Sequence, residues 1–160
     1  MNKITLQPVN NDNFRVITKL SDTLSDDQKK CVAPNVYSLA QAYLNLDHAW
    51  PRAIYLDDTP IGFIMLDINP DDIPNNENAY YLWRFMIASD YQGKGYGKDA
   101  LDLIIQKCIE DQKDYLYSSC AMHKDMPYQF YIKYGFIDTG IFDDGEEVLK
   151  LDVSLKKKSI

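Results

Sequence analysis

Apolar and polar positions along this 160-residue chain change period several times, and each change marks an element. Ile4 to Val9 alternates and predicts a first strand. Asn13 to Leu20 sets Phe14, Ile17 and Leu20 at helical spacing. Ser21 to Lys30 is polar and acidic, a loop or the start of a second helix. From Val36 to Leu46, after the stop signal of Pro34, Val36, Leu39, Ala40, Tyr43 and Leu44 form one helical stripe. Pro51 to Leu56 and Ile61 to Ile68 are apolar strand runs, joined by the turn Asp57-Asp58-Thr59-Pro60. Pro70 to Asn78, rich in proline, asparagine and acids, reads as a loop. Tyr80 to Ala88 is a continuous aromatic and apolar run, which predicts a central strand covered on both faces. Ser89 to Gly97 then leads into an amphipathic helix over Tyr96 to Asp111, with Ala100, Leu101, Ile104, Ile105, Cys108 and Ile109 toward a core. Tyr115 to Cys120 is a further strand. Pro127 opens a short helix, Tyr128 to Tyr134, which Gly135 ends. Phe136 to Phe142 and Glu147 to Val153 form a closing hairpin around Asp143-Asp144-Gly145. The predicted order is β-α-α-β-β-β-α-β-α-β-β, a mixed α/β domain.

Length suits one domain, here 1–155, with a basic tail at 156–160. Apolar residues make up 46% and charged residues 26%, an ordinary balance for a globular protein. No apolar run approaches the ~18 residues needed to span a bilayer. Met1 to Val9 lacks an apolar signal-peptide core, so a cytoplasmic protein with no membrane partner is expected. The three cysteines, Cys31, Cys108 and Cys120, are odd in number and widely spaced. They predict ordinary buried or half-buried thiols, not a disulfide framework or a metal knuckle. His48 and His123 are the only histidines, and no metal is expected. A net charge of −7 repels nucleic acid and favours a cationic small molecule.

The most informative stretch is a buried strand, a glycine loop and an amphipathic helix in succession. Gly93, Gly95 and Gly97 allow a tight turn and close backbone approach to a ligand. The helix start that follows offers free N–H groups and the positive end of its dipole. Together they make an anion site fit for a diphosphate, with Lys94 and Lys98 adding charge. Gly93 to Lys98 is one residue short of a P-loop, and Asp99 stands where Ser or Thr is needed. The spacing G-x-G-x-G also misses the dinucleotide fingerprint G-x-G-x-x-G. Gln92 to Gly97 instead gives Q-x-x-G-x-G.

That loop resembles the acetyl-CoA loop of the GNAT acetyltransferase superfamily. Arg84-Phe85-Met86-Ile87-Ala88-Ser89-Asp90-Tyr91-Gln92-Gly93-Lys94-Gly95-Tyr96-Gly97 is similar to the superfamily's core motif, with strand, turn, loop and helix in order. Further along, Phe130-Tyr131-Ile132-Lys133-Tyr134-Gly135-Phe136 resembles its FYxKxGF signature. Within the superfamily the chain looks closest to bacterial diamine and spermine/spermidine acetyltransferases, through Trp83-Arg84-Phe85-Met86-Ile87 and Pro60-Ile61-Gly62-Phe63. The implied fold is a twisted, mostly antiparallel central sheet with helices on both faces. The implied activity is transfer of acetyl from acetyl-CoA to a small primary amine, with a homodimer by analogy. Transfer to an aminoglycoside, an amino acid or a protein N-terminus, and a non-catalytic acetyl-CoA module, are the alternatives.

The resemblance implies cofactor contacts from the amides of Gly93, Lys94, Gly95, Tyr96, Gly97 and Lys98, with Gln92 shaping the turn. It implies that the pantetheine arm pairs with the strand edge at Phe85, Met86 and Ile87, where an amide near Met86 or Ile87 polarises the thioester carbonyl. It assigns the proton donor for the leaving thiolate to Tyr131. A primary amine with a pKa of ~10.4 is protonated at neutral pH and must lose a proton before attack. The strand Tyr80 to Ile87 holds no acid for that task, so Glu77, Asp67 and Asp47 are candidates by position. Relatives often carry a cofactor-contacting Asn before the Tyr helix. Here Met122-His123-Lys124-Asp125-Met126-Pro127 has none, leaving His123 or Asp125 as substitutes. Acceptor-lining candidates are Tyr37, Tyr43, Trp50, Tyr81 and Trp83, with Glu77, because aromatic walls suit alkyl chains and cations alike.

Overall fold

The computed structural model describes residues 2–121 and 127–157. Its strands are β1 (Ile4–Gln7), β2 (Ala49–Leu56), β3 (Thr59–Asp67), β4 (Ala79–Ile87), β5 (Tyr115–Ala121), β6 (Ile137–Asp143) and β7 (Glu146–Asp152). Its helices are α1 (Phe14–Leu20), α2 (Asp26–Lys29), α3 (Asn35–Leu44), α4 (Tyr96–Glu110) and α5 (Tyr128–Tyr134). The strands form one sheet in the order β1-β2-β3-β4-β5-β7-β6. Every neighbouring pair is antiparallel except β4 and β5. The mixed sheet and the predicted order are therefore present, with α2 as the one addition.

A capping box makes α2. The Ser25 hydroxyl accepts from the Gln28 amide at 3.2 Å, and the Gln28 side chain accepts from the Ser25 amide at 3.1 Å. The pattern Ser25-Asp26-Asp27-Gln28 carries that signal, although the segment is too polar to show a periodic face.

The two faces of the sheet bury different clusters. On one, α4 sets Ala100, Leu101, Ile104, Ile105 and Cys108, all fully buried, against Ile54, Ile64, Leu82 and Leu116. Each buried Leu or Ile contributes roughly 1.5–3 kcal/mol, so this stripe fixes the helix on the sheet. Tyr131, Tyr134 and Phe136 join the same cluster and dock α5 beside α4, where the Tyr134 hydroxyl donates to Asp102 at 2.7 Å. On the other face, Ile17, Leu24 and Ala42 pack on Ala53, Phe63, Met65 and Met86.

Of the predicted apolar stripe of α3, only Leu39 packs on the core; the other positions point outward. Val36, Tyr43 and Leu44 are 60%, 74% and 77% exposed, while Asn35, Ser38 and Ala42 are buried. Polar anchors decide the orientation. Asn35 Nδ2 donates to the Ile17 carbonyl at 2.8 Å, and the Arg84 guanidinium donates to Ser38 Oγ at 3.1 Å and Gln41 Oε1 at 2.8 Å. Leaving the half-buried Arg84 guanidinium and the buried Asn35 Nδ2 unpaired costs more than exposing three apolar side chains. Among the described residues no helix is long and apolar enough to cross a membrane. Cys108 and Cys120 are buried and Cys31 is half-buried.

Candidate active site

The parallel pair β4–β5 stops early. It joins Ala79–Leu82 to Tyr115–Ser118 and goes no further, whereas β4 stays paired with β3 as far as Ile87. Opposite Met65 and Leu66 stand Arg84 and Leu82, so Trp83 is the extra residue of a bulge. A bulge bends its strand and increases local twist. Here it lies one residue past the last β4–β5 pair, and the two strands part. The gap is a cleft of about 950 Å³ that passes through the sheet.

The glycine loop closes one end of the cleft. Gly93 and Gly95 have φ of 72° and 88°, a left-handed conformation that other residues adopt only with strain. Their missing Cβ atoms face open space. The first intrahelical bond of α4 runs from Asp99 N–H to the Gly95 carbonyl. Among the described residues, no partner takes the six amides from Gly93 to Lys98. They converge with the positive end of a 15-residue helix, which suits a diphosphate. Gln92, Gly93, Gly95, Gly97 and Lys98 line the cleft, with Lys94 and Tyr96 beside it. Lys98 also pairs with Asp102 at 3.1 Å.

The free edge of β4 forms a wall. Ala88 N–H donates to the Ile61 carbonyl, so Met86, two residues earlier, also turns its amide to β3. Phe85 and Ile87 therefore turn theirs to the gap. Of the three residues expected to contact the pantetheine arm, all line the cleft, and two present amides to it. The Met86 side chain is buried on the opposite face, where its sulfur accepts from Asn35 at 3.6 Å.

Tyr131 comes from α5, the predicted helix, and lines the same cleft. It is buried, with edge contacts to Phe130 at 5.6 Å and Phe136 at 5.2 Å. Burial is the main cause that raises its pKa, the Cys120 thiol adds to the rise, and the Ser118 hydroxyl partly offsets it. Such a phenol keeps its proton at neutral pH, as a donor must.

The expected acceptor residues divide. Trp83 and Tyr81 line the cleft. Tyr37 and Tyr43 ride the outer side of α3, 57% and 74% exposed. Trp50 lies under the Arg52 guanidinium at 3.9 Å and the Lys107 ammonium at 4.6 Å, outside the cleft. Glu77 accepts from Lys150 Nζ at 2.7 and 2.8 Å and from the Tyr117 hydroxyl at 2.6 Å. Asp67 pairs with His48 at 3.1 Å, and Asp47 is on the surface. None of these three acids lines the cleft, because they sit near the end where β4 and β5 are still hydrogen-bonded. His123 and Asp125 lie outside the described residues.

Other residues reach the cleft that the sequence pattern did not single out. Gln28 and Cys31 come from the α2 segment, Ser119 from β5, and Asp143, Asp144 and Glu146 from the β6–β7 hairpin. Gln28 also donates to Gln92 at 3.0 Å. The run Asp143-Asp144-Gly145-Glu146 shows only a turn in one dimension; pairing of β7 with β5 carries it to the site.

A twisted sheet split between its parallel strands, with a glycine-loop anion site and a buried phenol on one cleft, describes an acyl-CoA-dependent transferase. The acetyltransferase (GNAT) family matches residues 18–136, and the chain belongs to that family. It is an acetyl-CoA-dependent N-acetyltransferase. The spermine/spermidine N(1)-acetyltransferase of Bacillus subtilis is 33% identical over 102 residues, covering 62% of this chain and 67% of that protein. Among solved structures, an aminoglycoside acetyltransferase in complex with coenzyme A superposes with a TM-score of 0.76 at 14% identity, over 98% of this chain and 99% of that one. A Thermoplasma acidophilum N-acetyltransferase in complex with coenzyme A gives 0.66 at 16% identity, over 94% and 99%.

Proposed function

We propose that this enzyme acetylates a small primary amine carrying more than one positive charge, a diamine or polyamine such as spermidine or spermine. The observation that carries the proposal is the lining of the cleft, which Asp143, Asp144 and Glu146 share with the aromatic rings of Tyr81 and Trp83. Carboxylates attract ammonium groups through water, and aromatic faces take both methylene chains and cations. The name of the Bacillus subtilis relative supports the same substrate class.

In this account the amides of Gly93 to Lys98 hold the diphosphate of acetyl-CoA. The Phe85 and Ile87 amides bind the pantetheine arm as a neighbouring strand would. The Ile87 N–H donates toward the thioester oxygen, where negative charge gathers during attack. Tyr131 gives a proton to the departing sulfur, whose thiol has an intrinsic pKa of ~8.5. The test is thiol release from acetyl-CoA with spermidine, spermine and putrescine, against an aminoglycoside, an amino acid and a peptide. Preference for putrescine, spermidine or spermine supports the proposal. Equal or greater turnover of the aminoglycoside, the amino acid or the peptide contradicts it.

A further inference from the structure

The reaction needs a group to take the proton of the incoming ammonium, and none of the acids the sequence pattern offered reaches the cleft. We propose that Glu146 is that proton acceptor, held in place by Ser119. This rests on the acetyltransferase reading and adds the missing half of its acid–base pair.

The geometry begins with the sheet. Ser119 lies between Ser118 and Cys120, and Cys120 packs in the cluster that contains Tyr131. Alternation along β5 therefore turns Ser119 to the opposite face. Glu146 pairs with Ala121, two residues on, and shares that face. The Ser119 hydroxyl donates to Glu146 Oε2 at 3.0 Å. Among the described residues no donor reaches Oε1. Both Glu146 and Tyr131 line the one cleft. Tyr131 thus stands on the α4–α5 side of the split sheet and Glu146 on the other, with the gap between them.

The groups facing Glu146 come from every neighbouring element. Burial is the main cause that raises the pKa of Cys31 beside α2, Tyr81 on β4, Cys120 on β5 and Tyr131 on α5, and the charge of Glu146 adds to each; burial lowers that of Arg84, and Glu146 partly offsets it. Asp143 lies near the same Tyr81.

The proton balance follows. Glu146 takes one proton from the ammonium, and the freed nitrogen pair forms the C–N bond. The C–S bond breaks and the sulfur takes the Tyr131 proton. The second proton of the nitrogen returns to Tyr131, and Glu146 releases its proton to water.

The test compares Glu146→Gln with the wild-type enzyme, using spermidine or whichever amine of the panel turns over fastest. Glu146→Gln is expected to lower kcat on the order of 10²-fold at pH 7, with coenzyme A affinity by calorimetry unchanged. Its rate should climb about tenfold per pH unit toward the pKa of the amine, as unassisted deprotonation takes over. Ser119→Ala should lower kcat with KM nearly unchanged, since the carboxylate loses the hydroxyl that positions it. An unchanged kcat in Glu146→Gln, a rise in KM alone, or an unchanged kcat in Ser119→Ala overturns the proposal. Failure of the wild-type enzyme to bind coenzyme A or to acetylate any amine would instead strike the acetyltransferase reading beneath it.

Discussion

The Gln92 side chain donates from Nε2 to the Ile87 carbonyl at 2.8 Å, tying the glycine loop to the free end of β4. One residue from the loop therefore fixes the distance between the two places proposed to hold acetyl-CoA, the diphosphate site and the strand edge. Gln28 bonds the same side chain at 3.0 Å, so α2 is registered to the loop as well. Gln92→Ala is expected to weaken coenzyme A binding about tenfold, a loss of one to two hydrogen bonds of ordinary strength. Calorimetric titration measures this directly.

The loop conformation itself is the next test. Gly95 holds φ of 88° in open space, so Gly95→Ala adds strain and no clash. The cost of a left-handed residue is about 1–2 kcal/mol. Thermal unfolding should show that loss, and coenzyme A affinity should fall because the helix start relaxes away from the bound geometry. A Gly95→Ala protein with unaltered stability would mean that the left-handed turn is not maintained in solution.

Tyr131→Phe removes the proposed proton donor and keeps the aromatic packing on Phe130 and Phe136. Turnover is expected to fall on the order of 10²-fold, with coenzyme A affinity nearly unchanged. Thiol release and calorimetry on the same preparation separate the two effects. Unaltered turnover would remove Tyr131 from the chemistry.

Glu77 separates structure from catalysis. Lys150 first, and then Tyr117, hold its carboxyl below the usual range. A depressed acid stabilises the fold above its unfolded pKa, about 4.3 for Glu, and that contribution is lost as pH falls through the lower folded value. Glu77→Gln should therefore melt below the wild type at pH 7 and converge with it near the acid end of the folded range. Its turnover at pH 7, where it stays folded, should match the wild type. A pH-independent melting difference would contradict the ion pair.

The face of α3 gives a fifth test. Asn35→Ala leaves the Ile17 carbonyl unpaired in a buried place and should cost about 1–3 kcal/mol. Leu44→Ser, at a position 77% exposed, should change stability by less than about 0.5 kcal/mol. Chemical denaturation of both variants measures the contrast, which reverses if the apolar stripe is the buried one.

These contrasts trace what one dimension of sequence can carry. The α4 stripe, the glycine loop and the α5 signature were legible because their residues are close in the chain and their spacing is the geometry. The face of α3 was not, since Arg84 comes from a distant strand and outbids the local apolar pattern for it. The bulge at Trp83 leaves no mark in a run that is aromatic and apolar throughout. Glu146 reads as the residue after a turn until β7 is laid against β5. Glu77 looked available for the opposite reason: Lys150, its partner, arrives from a strand far along the chain.

The most direct measurement is calorimetric titration of the purified protein with coenzyme A. Saturable heat at one site per chain, weakened in both Gln92→Ala and Gly95→Ala, is the predicted result. No heat and no thermal protection at millimolar coenzyme A would contradict the diphosphate site, and with it the assignment of the cleft.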